Sequence, residues 1–443
     1  MTQEKNNSKL IAIITMCFIF AMISFVTNMG APFGNIWGFT YPFAKAWGNL
    51  LNFAAYLFMG IPAGKMLIKY GYKKTALIAL IVGIIGLAFQ YISSIAGDGT
   101  YVFTYDGIPV ALNLIIYLLG AFICGFCVCM LNTVVNPMLN LLGGGGNKGN
   151  QLIQIGGTMN SLTATLTPLL TGVLVGTVTA ETSMSNVAPL LFIGISVFAI
   201  AFIIISRVQI PEPNLGKEQP KYERSPLAFR HCLLGVIAIF FYVGIEIGIP
   251  MELNFYITDL GFEGSAAIGG FLAALYWLMM LVGRASSSAI SGKVSTRTQL
   301  TIVSSVAILL LLIAIFMPES NTLSMNLESF PHWFKSFFKL PEVGVFEVPT
   351  KAIFIFLCGL CTSIMWGGIF NLSVEGLGKY TEAASGIFMT MVVGGGIMPL
   401  IQEAIAKSAG AINSYWLVVG MLAYILFYAV IGSKNVNKDI KVD

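Results

Sequence analysis

The sequence predicts an all-α integral membrane protein with twelve transmembrane helices in two six-helix halves. Hydrophobic residues make up 56% of the 443 residues and charged residues only 10%, whereas an ordinary soluble domain carries about 25% charged residues. Apolar runs of about 20 residues, the length that crosses a bilayer as a helix, recur along the chain. Lys and Arg are concentrated in alternate connections between these runs, as expected for a protein that crosses a membrane many times.

The apolar runs divide into six predicted spans before a basic, proline-bearing linker and six after it. Spans 1 to 6 cover residues 10–29, 46–67, 75–95, 110–131, 151–175 and 187–206. Spans 7 to 12 cover residues 232–253, 265–287, 300–316, 350–370, 385–405 and 414–432. We therefore predict an N-terminal half at 1–206, a cytoplasmic linker at 207–231 and a C-terminal half at 232–443, and we expect no strands.

The distribution of basic residues predicts the orientation of the chain. If both termini are inside, the inner segments hold 19 of the 24 Lys and Arg and the outer segments hold 5. Inner loops of membrane proteins carry the excess of Lys and Arg. We therefore expect both termini in the cytoplasm of a bacterial inner (cell) membrane. The first run lacks a small-residue cleavage site, and we interpret it as a span rather than a signal peptide.

The long connection after span 9, residues 317–349, is rich in aromatic side chains. It contains Trp333, Phe334, Phe337 and Phe338 at spacings that place several on one helical face. Such a segment favours a short amphipathic helix at the outer interface. A lid over a central cavity is the alternative interpretation.

Nothing in the sequence favours an enzyme, a cofactor or a nucleic-acid partner. The two histidines, His231 and His332, lie in predicted loops, and the seven Cys lie in or beside apolar runs, where they are ordinary small helix residues. The four glycines at 143–146 precede Asn147 and Lys148 without the ending of a phosphate-binding loop. The net charge of +4 is small, so we expect no nucleic-acid binding.

Ionisable residues inside the spans are functional candidates because a charge inside a bilayer is costly. Glu246 lies deep in span 7, Glu252 lies nearer its outer end, and Glu403 lies near the outer end of span 11. We take these three as candidate coupling residues. Arg284 lies in the inner part of span 8, where snorkelling or pairing at the inner end is the simpler interpretation.

The connection after span 2 resembles the signature motif of the major facilitator superfamily. It contains Gly64, Lys69, Gly71 and Lys73. A weaker copy begins with Arg284 at the inner end of span 8. The resemblance implies two similar halves with a substrate site between them near mid-membrane, and an inner gate built from these five residues. The acid of the motif is replaced by Ile68, which removes one member of the charge network that the motif normally builds.

Other segments resemble the fucose:proton symporter branch of that superfamily. They are Ile61-Pro62-Ala63-Gly64, Leu131-Asn132-Thr133-Val134-Val135-Asn136-Pro137, Thr158-Met159-Asn160-Ser161, Tyr242-Val243-Gly244, Val282-Gly283-Arg284 and Gly394-Gly395-Gly396-Ile397 with Pro399. The resemblance implies sugar transport, with one acid on helix 1 and one on helix 4. Here those positions are Asn28 and Asn132, and an amide cannot carry a proton.

Four amides lie on spans that line the cavity in this branch. Asn28, Asn132, Asn136 and Asn160 lie on or beside spans 1, 4 and 5. An amide offers both a donor and an acceptor, which suits a neutral polyhydroxylated ligand. Hydrogen bonding between helices is the alternative role.

The aromatic residues of the C-terminal half supply a platform for a sugar ring. Trp366 lies in span 10 with Asn371 about a turn and a half beyond it, and Trp277 lies in span 8. An aromatic face packs well against the apolar face of a pyranose, and packing against lipid or other helices is the alternative. Together with Glu246 and the four amides, we predict these three residues as the substrate site.

We expect a secondary active or facilitative transporter that moves a small polar solute, with a monosaccharide as the expected substrate, by alternating access. The sequence does not distinguish coupling to a proton, coupling to sodium and uncoupled transport. A transporter of an amino sugar or an organic acid is the alternative within this class. A membrane solute sensor that has lost transport is the alternative outside it, because the acids expected from the resemblance are absent. We expect the chain to function as a monomer in the bilayer.

Overall fold

The N-terminal half of this computed structural model consists of five long helices, one of which contains two spans. Residues 2–44, 47–175, 182–212, 223–262, 265–338, 340, 344–437 and 440 are described. The helices of this half are α1 Thr2–Thr40, α2 Trp47–Ile92, α3 Leu112–Gly143, α4 Gly146–Val175 and α5 Ala188–Arg207. Predicted spans 2 and 3 both lie in α2 and are separated by Gly71, whose φ of 78° and ψ of 180° are not helical.

Among its described residues, the C-terminal half contains nine helices, because two of its six spans are each broken into two helices and a short helix, α9, lies in a connection. They are α6 Arg230–Thr258, α7 Ser265–Ile290, α8 Thr296–Phe316, α9 His332–Phe338, α10 Lys351–Thr362, α11 Met365–Ser373, α12 Thr381–Thr390, α13 Gly394–Ala409 and α14 Ala411–Phe427. Span 10 is broken between α10 and α11, and span 11 between α12 and α13. The predicted outer helix is present as α9, which is only seven residues long.

Hydropathy accounts for most of the spans but underestimates one. Among the described residues, ten helical segments are long and apolar enough to cross a membrane, and one of them, Pro42–Ile92, contains two predicted spans. The remaining span is α4, a 30-residue helix and the least apolar of the long helices. Its polar character follows from its position, since α4 packs against α7 and α11 of the other half and carries several side chains of the site described below.

The expectation that the chain contains no strands was wrong. At the end of the bundle that the charge distribution predicts to lie outside, called the outer side below, β1 Tyr101–Tyr105 pairs antiparallel with β2 Ile108–Ala111, and β3 Thr322–Asn326 pairs antiparallel with β4 Val345–Pro349. The opposite end is called the inner side. The turn of the first hairpin is Asp106-Gly107, both with positive φ, and Asp-Gly is a preferred sequence for such tight turns. Span 4 therefore begins at Leu112, two residues later than predicted, because Val110 belongs to β2.

Close contact between the halves depends on glycine. On the inner side, α2 packs against α12, and a Cβ at Gly64 would lie 2.9 Å from Cα of Gly386. A Cβ at Gly386 would in turn lie 2.7 Å from the carbonyl oxygen of Gly60. Small residues allow helix backbones to approach in a membrane, where association depends on close packing. Here they bring the inner ends of spans 2 and 11 together.

Candidate functional site

A hydrogen bond between Trp366 and Asn136 joins the two halves at the centre of the structure. Nε1 of Trp366 in α11 donates to Oδ1 of Asn136 in α3 at 2.9 Å. The amide nitrogen of Asn136 donates to the backbone oxygen of Asn132, one turn earlier, at 2.8 Å. Asn136 is fully buried, whereas Trp366 is half-buried. The indole ring therefore has one edge anchored and part of its surface available to a ligand.

Asn132 extends this arrangement to α2. Its Nδ2 donates to the hydroxyl oxygen of Tyr56 at 2.9 Å, and both side chains are buried. Tyr56 was not among the predicted site residues, because a lone tyrosine in an apolar span has no pattern that distinguishes it from a packing residue. The bond leaves the amide oxygen of Asn132 available as an acceptor.

Glu246 and Arg284 form a buried ion pair between predicted spans 7 and 8. Nη2 of Arg284 in α7 lies 3.0 Å from Oε1 of Glu246 in α6, and their side chains are 9% and 15% exposed. Burial of this kind is tolerated when each charge is paired and its remaining hydrogen-bonding groups are satisfied. Of the two interpretations given for Arg284, snorkelling and pairing, the structure shows pairing, with the guanidinium in a buried network.

The guanidinium of Arg284 also connects the halves. Its Nη1 donates to Oγ of Ser161 at 2.7 Å and lies 3.4 Å from Oδ1 of Asn160, both in α4. Its Nε donates to the backbone oxygen of Ser363 at 3.1 Å, where span 10 is broken. The break in span 10 therefore exposes a carbonyl that accepts a bond from Arg284. Asn160 is in turn held to α1 by a 3.1 Å bond from its Nδ2 to the backbone oxygen of Phe20.

Tyr242 connects the aromatic part of the site to the charged part. Its ring packs edge-on against Trp366 at 6.2 Å between centroids, and it lies one helical turn before Glu246 on α6. Its hydroxyl is buried and lies beside the carboxylate of Glu246, although it does not meet strict hydrogen-bonding geometry with a described residue. Tyr242 belongs to a segment that carries the family resemblance but was not a predicted site residue, and the fold adds it to the site by placing it between Trp366 and Glu246. We call Tyr56, Asn132, Asn136, Trp366, Tyr242, Glu246 and Arg284 the central cluster.

Four predicted substrate-site residues lie outside the central cluster: Asn160, whose bonds to Phe20 and Arg284 are given above, and Asn28, Trp277 and Asn371. Asn28 is half-buried, and its Nδ2 bonds within its own helix, to the backbone oxygen of Ser24 at 2.8 Å. Trp277 is half-buried and packs edge-on against Tyr276 at 5.6 Å. Asn371 is buried on the inner side of Trp366, where its Oδ1 accepts a 2.6 Å bond from Nδ2 of Asn140 in the other half.

Asn371 belongs to a group of bonds that closes the inner side between the halves. Within its own half, its Nδ2 donates to Oγ1 of Thr296 at 3.2 Å. Between the halves, Gln154 of α4 donates to the backbone oxygen of Ile364 at 3.0 Å, and Gln151 of α4 donates to the backbone oxygen of Ser288 at 2.9 Å. We call these contacts the inner closure. A cavity of about 510 Å³ lies beside it, lined in part by Asn147, Thr296, Arg297 and Asn371.

The predicted inner-gate motif forms the bend between spans 2 and 3. Gly71 supplies the positive φ at this bend, and the carboxylate of Glu212 accepts from the backbone nitrogens of Tyr72 at 2.8 Å and Lys73 at 2.7 Å. Nζ of Lys73 donates to the backbone oxygen of Val208 at 2.9 Å, and Nζ of Lys69 lies 5.2 Å from the ring centroid of Tyr70. Glu212 therefore caps the start of span 3, a role that the linker sequence did not indicate.

The two outer acids are in different environments. Oε1 of Glu403 pairs with Nζ of Lys407, one turn later, at 2.6 Å, and the two side chains are 31% and 74% exposed. Glu252 is 1% exposed, and its Oε2 has no hydrogen-bond partner among the described residues. Within the described part of the chain, no group of three or more His, Cys, Asp or Glu could hold a metal ion.

The central cluster combines an aromatic face, several amide and hydroxyl groups and one buried ion pair between two helical halves. Such a site can bind a neutral polar molecule by hydrogen bonds and by packing against the indole ring.

Comparison with known proteins agrees with this architecture. The family model described as Major Facilitator Superfamily matches residues 11–398. A glucose/galactose transporter of Brucella abortus is 31% identical over 395 residues, which is 86% of this chain and 84% of the relative. A putative glucose/galactose transporter of Helicobacter pylori is 26% identical over 456 residues, covering 98% of this chain and 99% of the relative.

Solved structures of transporters share the fold. A crystal structure of the Escherichia coli fucose:proton symporter superposes with a TM-score of 0.76 at 18% identity, over 96% of this chain and 100% of the other. The proton:xylose symporter XylE bound to a bromodeoxyglucose superposes with a TM-score of 0.68 at 11% identity, over 95% of each chain. The expectation of a twelve-helix membrane protein in two six-helix halves is confirmed.

Proposed function

The chain belongs to the major facilitator superfamily, and from that membership we propose that it carries a monosaccharide of the glucose and galactose class across a bacterial cell membrane by alternating access. Both termini lie in the cytoplasm in this proposal. Residues 1–206 and 232–443 form the two moving halves, and residues 207–231 link them. The membrane location follows from the family and the apolar helices; the orientation rests on the distribution of Lys and Arg.

The observation that carries the proposal is the position of Trp366 in the central cluster. Its ring is held edge-on by Tyr242 at 6.2 Å and its nitrogen by Asn136 at 2.9 Å, so the orientation of the indole face is set before a ligand arrives. A pre-oriented aromatic ring beside amide groups suits a pyranose, which has an apolar C–H face and hydroxyl groups at its rim. Two of the curated relatives are named for glucose and galactose, which supports a hexose as the substrate.

The buried ion pair supplies the strongest hydrogen-bonding groups at this site. Hydrogen bonds to charged groups contribute about 1.5–3 kcal/mol, more than neutral ones. Oε1 of Glu246 is paired with Arg284, and the Tyr242 hydroxyl lies beside the same carboxylate. In this proposal Glu246 is a substrate-binding residue that accepts from a sugar hydroxyl, while Arg284 and Tyr242 hold its carboxylate in place.

Alternating access requires that the inner closure opens and reforms at modest cost. Three of its bonds cross between the halves, and all join neutral amide or backbone groups: Asn140 to Asn371, Gln154 to Ile364 and Gln151 to Ser288. Bonds of this kind in membranes contribute about 0.6 kcal/mol each. Three of them amount to about 2 kcal/mol, a free energy that substrate binding can offset.

The test is sugar counterflow in proteoliposomes. The purified protein is reconstituted with unlabelled galactose inside, and uptake of labelled glucose, galactose, fucose and xylose is measured without any ion gradient. We expect exchange of the hexoses, and loss of exchange in Trp366→Ala. Trp277→Ala is the matched control, because Trp277 lies outside the central cluster and should retain exchange.

Two results would contradict the proposal. Exchange that is equal in the wild type and in Trp366→Ala would remove the central cluster as the sugar site. If no sugar is exchanged, the monosaccharide proposal fails. Sugar binding by isothermal calorimetry without exchange would then support a membrane sensor, and exchange of an amino sugar or an organic acid would support another solute.

A further inference from the structure

Two buried oxygen atoms in the outer part of the C-terminal half have no hydrogen-bond donor among the described residues. They are Oε2 of Glu252 in α6 and Oε1 of Gln402 in α13, and these side chains are 1% and 0% exposed. An unpaired buried acceptor costs free energy, and a charged one costs more. Two such atoms on packed helices therefore require an explanation.

Both atoms lie in the contact between α6 and α13, which pack closely together. A Cβ at Gly248 would overlap Oε1 of Gln402, so the amide of Gln402 rests on the backbone of α6. Glu252 is one helical turn beyond Gly248, and residues four apart lie on the same face of a helix. The carboxyl group and the amide oxygen thus lie on the same side of the helix contact.

Protonation of Glu252 would remove the unpaired charge and bring a donor into this helix contact. If a proton binds Oε2 of Glu252, the carboxylate becomes a neutral carboxylic acid with one O–H donor, and Oε1 of Gln402, in the same contact between α6 and α13, is an acceptor that lacks a donor among the described residues. The proton comes from water on the outer side, and its binding removes one negative charge from a region where an isolated carboxylate is costly.

The charged and titratable groups around Glu252 do not replace that proton. Lys407 of α13 is paired with Glu403 at 2.6 Å, and the hydroxyl of Tyr415 in α14 donates to the backbone oxygen of Ile249 at 3.1 Å. Four other titratable groups lie on the helices packed around Glu252: Asp259 and Tyr256 at the outer end of α6, Tyr276 of α7, and Lys351 of α10. Lys351 is paired with Glu319. Among the described residues, no cation bonds directly to Glu252.

The contact is placed where it can influence the closing of the outer side. Both helices contain a proline just before the pair, Pro250 in α6 and Pro399 in α13, and a proline removes one backbone hydrogen bond and lets a helix bend. Nearer mid-membrane, α13 lies against the N-terminal half, where a Cβ at Gly395 would lie 2.9 Å from the ring of Phe53. A change at Gln402 is therefore two turns from the contact between the halves.

We propose that Glu252 and Gln402 form a proton-binding site, and that protonation of Glu252 from the outer side lets α6 and α13 pack together as the outer entrance closes over the sugar. The kinetic part of this inference rests on the proposed transport function. The proton site itself does not depend on that function. Transport is then fast when Glu252 is protonated and slow when it is ionised.

Infrared spectroscopy of the purified protein tests the site without any substrate. A pH titration should show a carboxylic-acid carbonyl band that is absent in Glu252→Gln and retained in Glu328→Gln, the control at an exposed position of the connection after α8. Glutamine has the shape of the protonated acid, so Glu252→Gln should remain folded. An unchanged band in Glu252→Gln would overturn the proton site.

Counterflow at varied outer pH tests the consequence. In the wild type, the protonated fraction of Glu252, and with it the rate, should fall about tenfold per pH unit above its pKa. The rate of Glu252→Gln should be high and independent of outer pH, while Glu328→Gln should follow the wild type. A wild-type pH profile in Glu252→Gln would overturn the kinetic inference. If the wild-type protein exchanges no sugar, the proposed function is refuted, and the infrared result still decides whether Glu252 binds a proton.

Discussion

Trp366 and Asn136 belong to different halves of the protein, yet Nε1 of the indole lies 2.9 Å from Oδ1 of the amide. The two residues are separated by 230 positions. A bond across the plane between the halves must break or move when they rock apart, so it contributes both to the shape of the site and to the stability of this conformation. The first prediction separates these two roles.

Trp366→Phe keeps an aromatic face and loses the hydrogen bond. Interhelical hydrogen bonds in membranes contribute about 0.6 kcal/mol, so we expect counterflow in this variant within about threefold of the wild type. Trp366→Ala also loses ring contacts worth about 0.5–1.5 kcal/mol each, and we expect a loss of about tenfold or more. Equal losses in the two variants would show that the hydrogen bond, rather than the ring face, is what the substrate needs. Initial rates at several galactose concentrations measure both effects.

Neutralising one partner of the buried ion pair should cost more stability than neutralising both. In Glu246→Gln the guanidinium of Arg284 keeps its bonds to Ser161 and to the Ser363 carbonyl but loses its counter-charge. Leaving one buried charge unpaired typically costs about 3–5 kcal/mol. We expect a clear fall in melting temperature in detergent, partly reversed in the double variant Glu246→Gln/Arg284→Gln, with counterflow lost in both. A double variant that is no more stable than the single one would argue against this pairing.

A side chain larger than glycine at position 386 should prevent the inner closure. A Cβ there would meet the Gly60 carbonyl at 2.7 Å and Cα of Gly64 at 2.8 Å, and backbone atoms cannot move aside without separating α2 from α12. We expect Gly386→Val to lose exchange and to expose a cysteine introduced at Gln154 to a thiol reagent from the inner side. Gly420→Val is the matched control, because nothing lies within 4 Å of a Cβ at that position. An active Gly386→Val would show that the transport cycle does not need this contact.

Removing the Glu212 carboxylate should loosen the bend between spans 2 and 3. The carboxylate accepts two backbone N–H groups, at 2.8 and 2.7 Å, and loss of a helix cap costs about 1 kcal/mol. We expect Glu212→Ala to lower the melting temperature and Glu212→Gln to have a smaller effect, because one amide oxygen can still accept. Glu223→Ala, in the same linker, serves as the control. Faster hydrogen exchange at Tyr72 and Lys73 in Glu212→Ala alone would locate the change.

Acidification should weaken the outer end of span 10. Burial alone would raise the pKa of Glu319, but hydrogen bonds from Lys351 and Tyr256 lower it, and the net shift is downward from the usual 4.5. A carboxylate with a lowered pKa stabilises the fold above its unfolded pKa, and this contribution is lost as the pH falls through the folded value. We therefore expect wild-type stability to decline below about pH 4.5 and Glu319→Gln to show a smaller decline. Since the Glu319 side chain is 64% exposed, the effect should be modest and screened by salt.

Most of the membrane architecture was predictable from local sequence, because each span satisfies its own requirement of length and apolarity. The exceptions have local reasons. Two spans merged into α2, because helical geometry is interrupted only at Gly71, and the Asp106-Gly107 turn produced a hairpin where apolar residues had suggested the start of a helix. Span 4 was consequently predicted two residues too early. The amides and the acids of the site were predicted as residue types, since polar groups in apolar runs stand out.

The partners of those residues depended on the tertiary structure. Hydropathy and charge along the chain determined the number of spans, their orientation and which residues are unusual in a bilayer, since the membrane acts on each span separately. These local properties did not determine that Asn371 bonds Asn140, that Arg284 joins Glu246 to α4, or that Glu212 caps span 3. These contacts join residues far apart in sequence, and they depend on how helices pack and where a span breaks, which no local pattern of residues specifies.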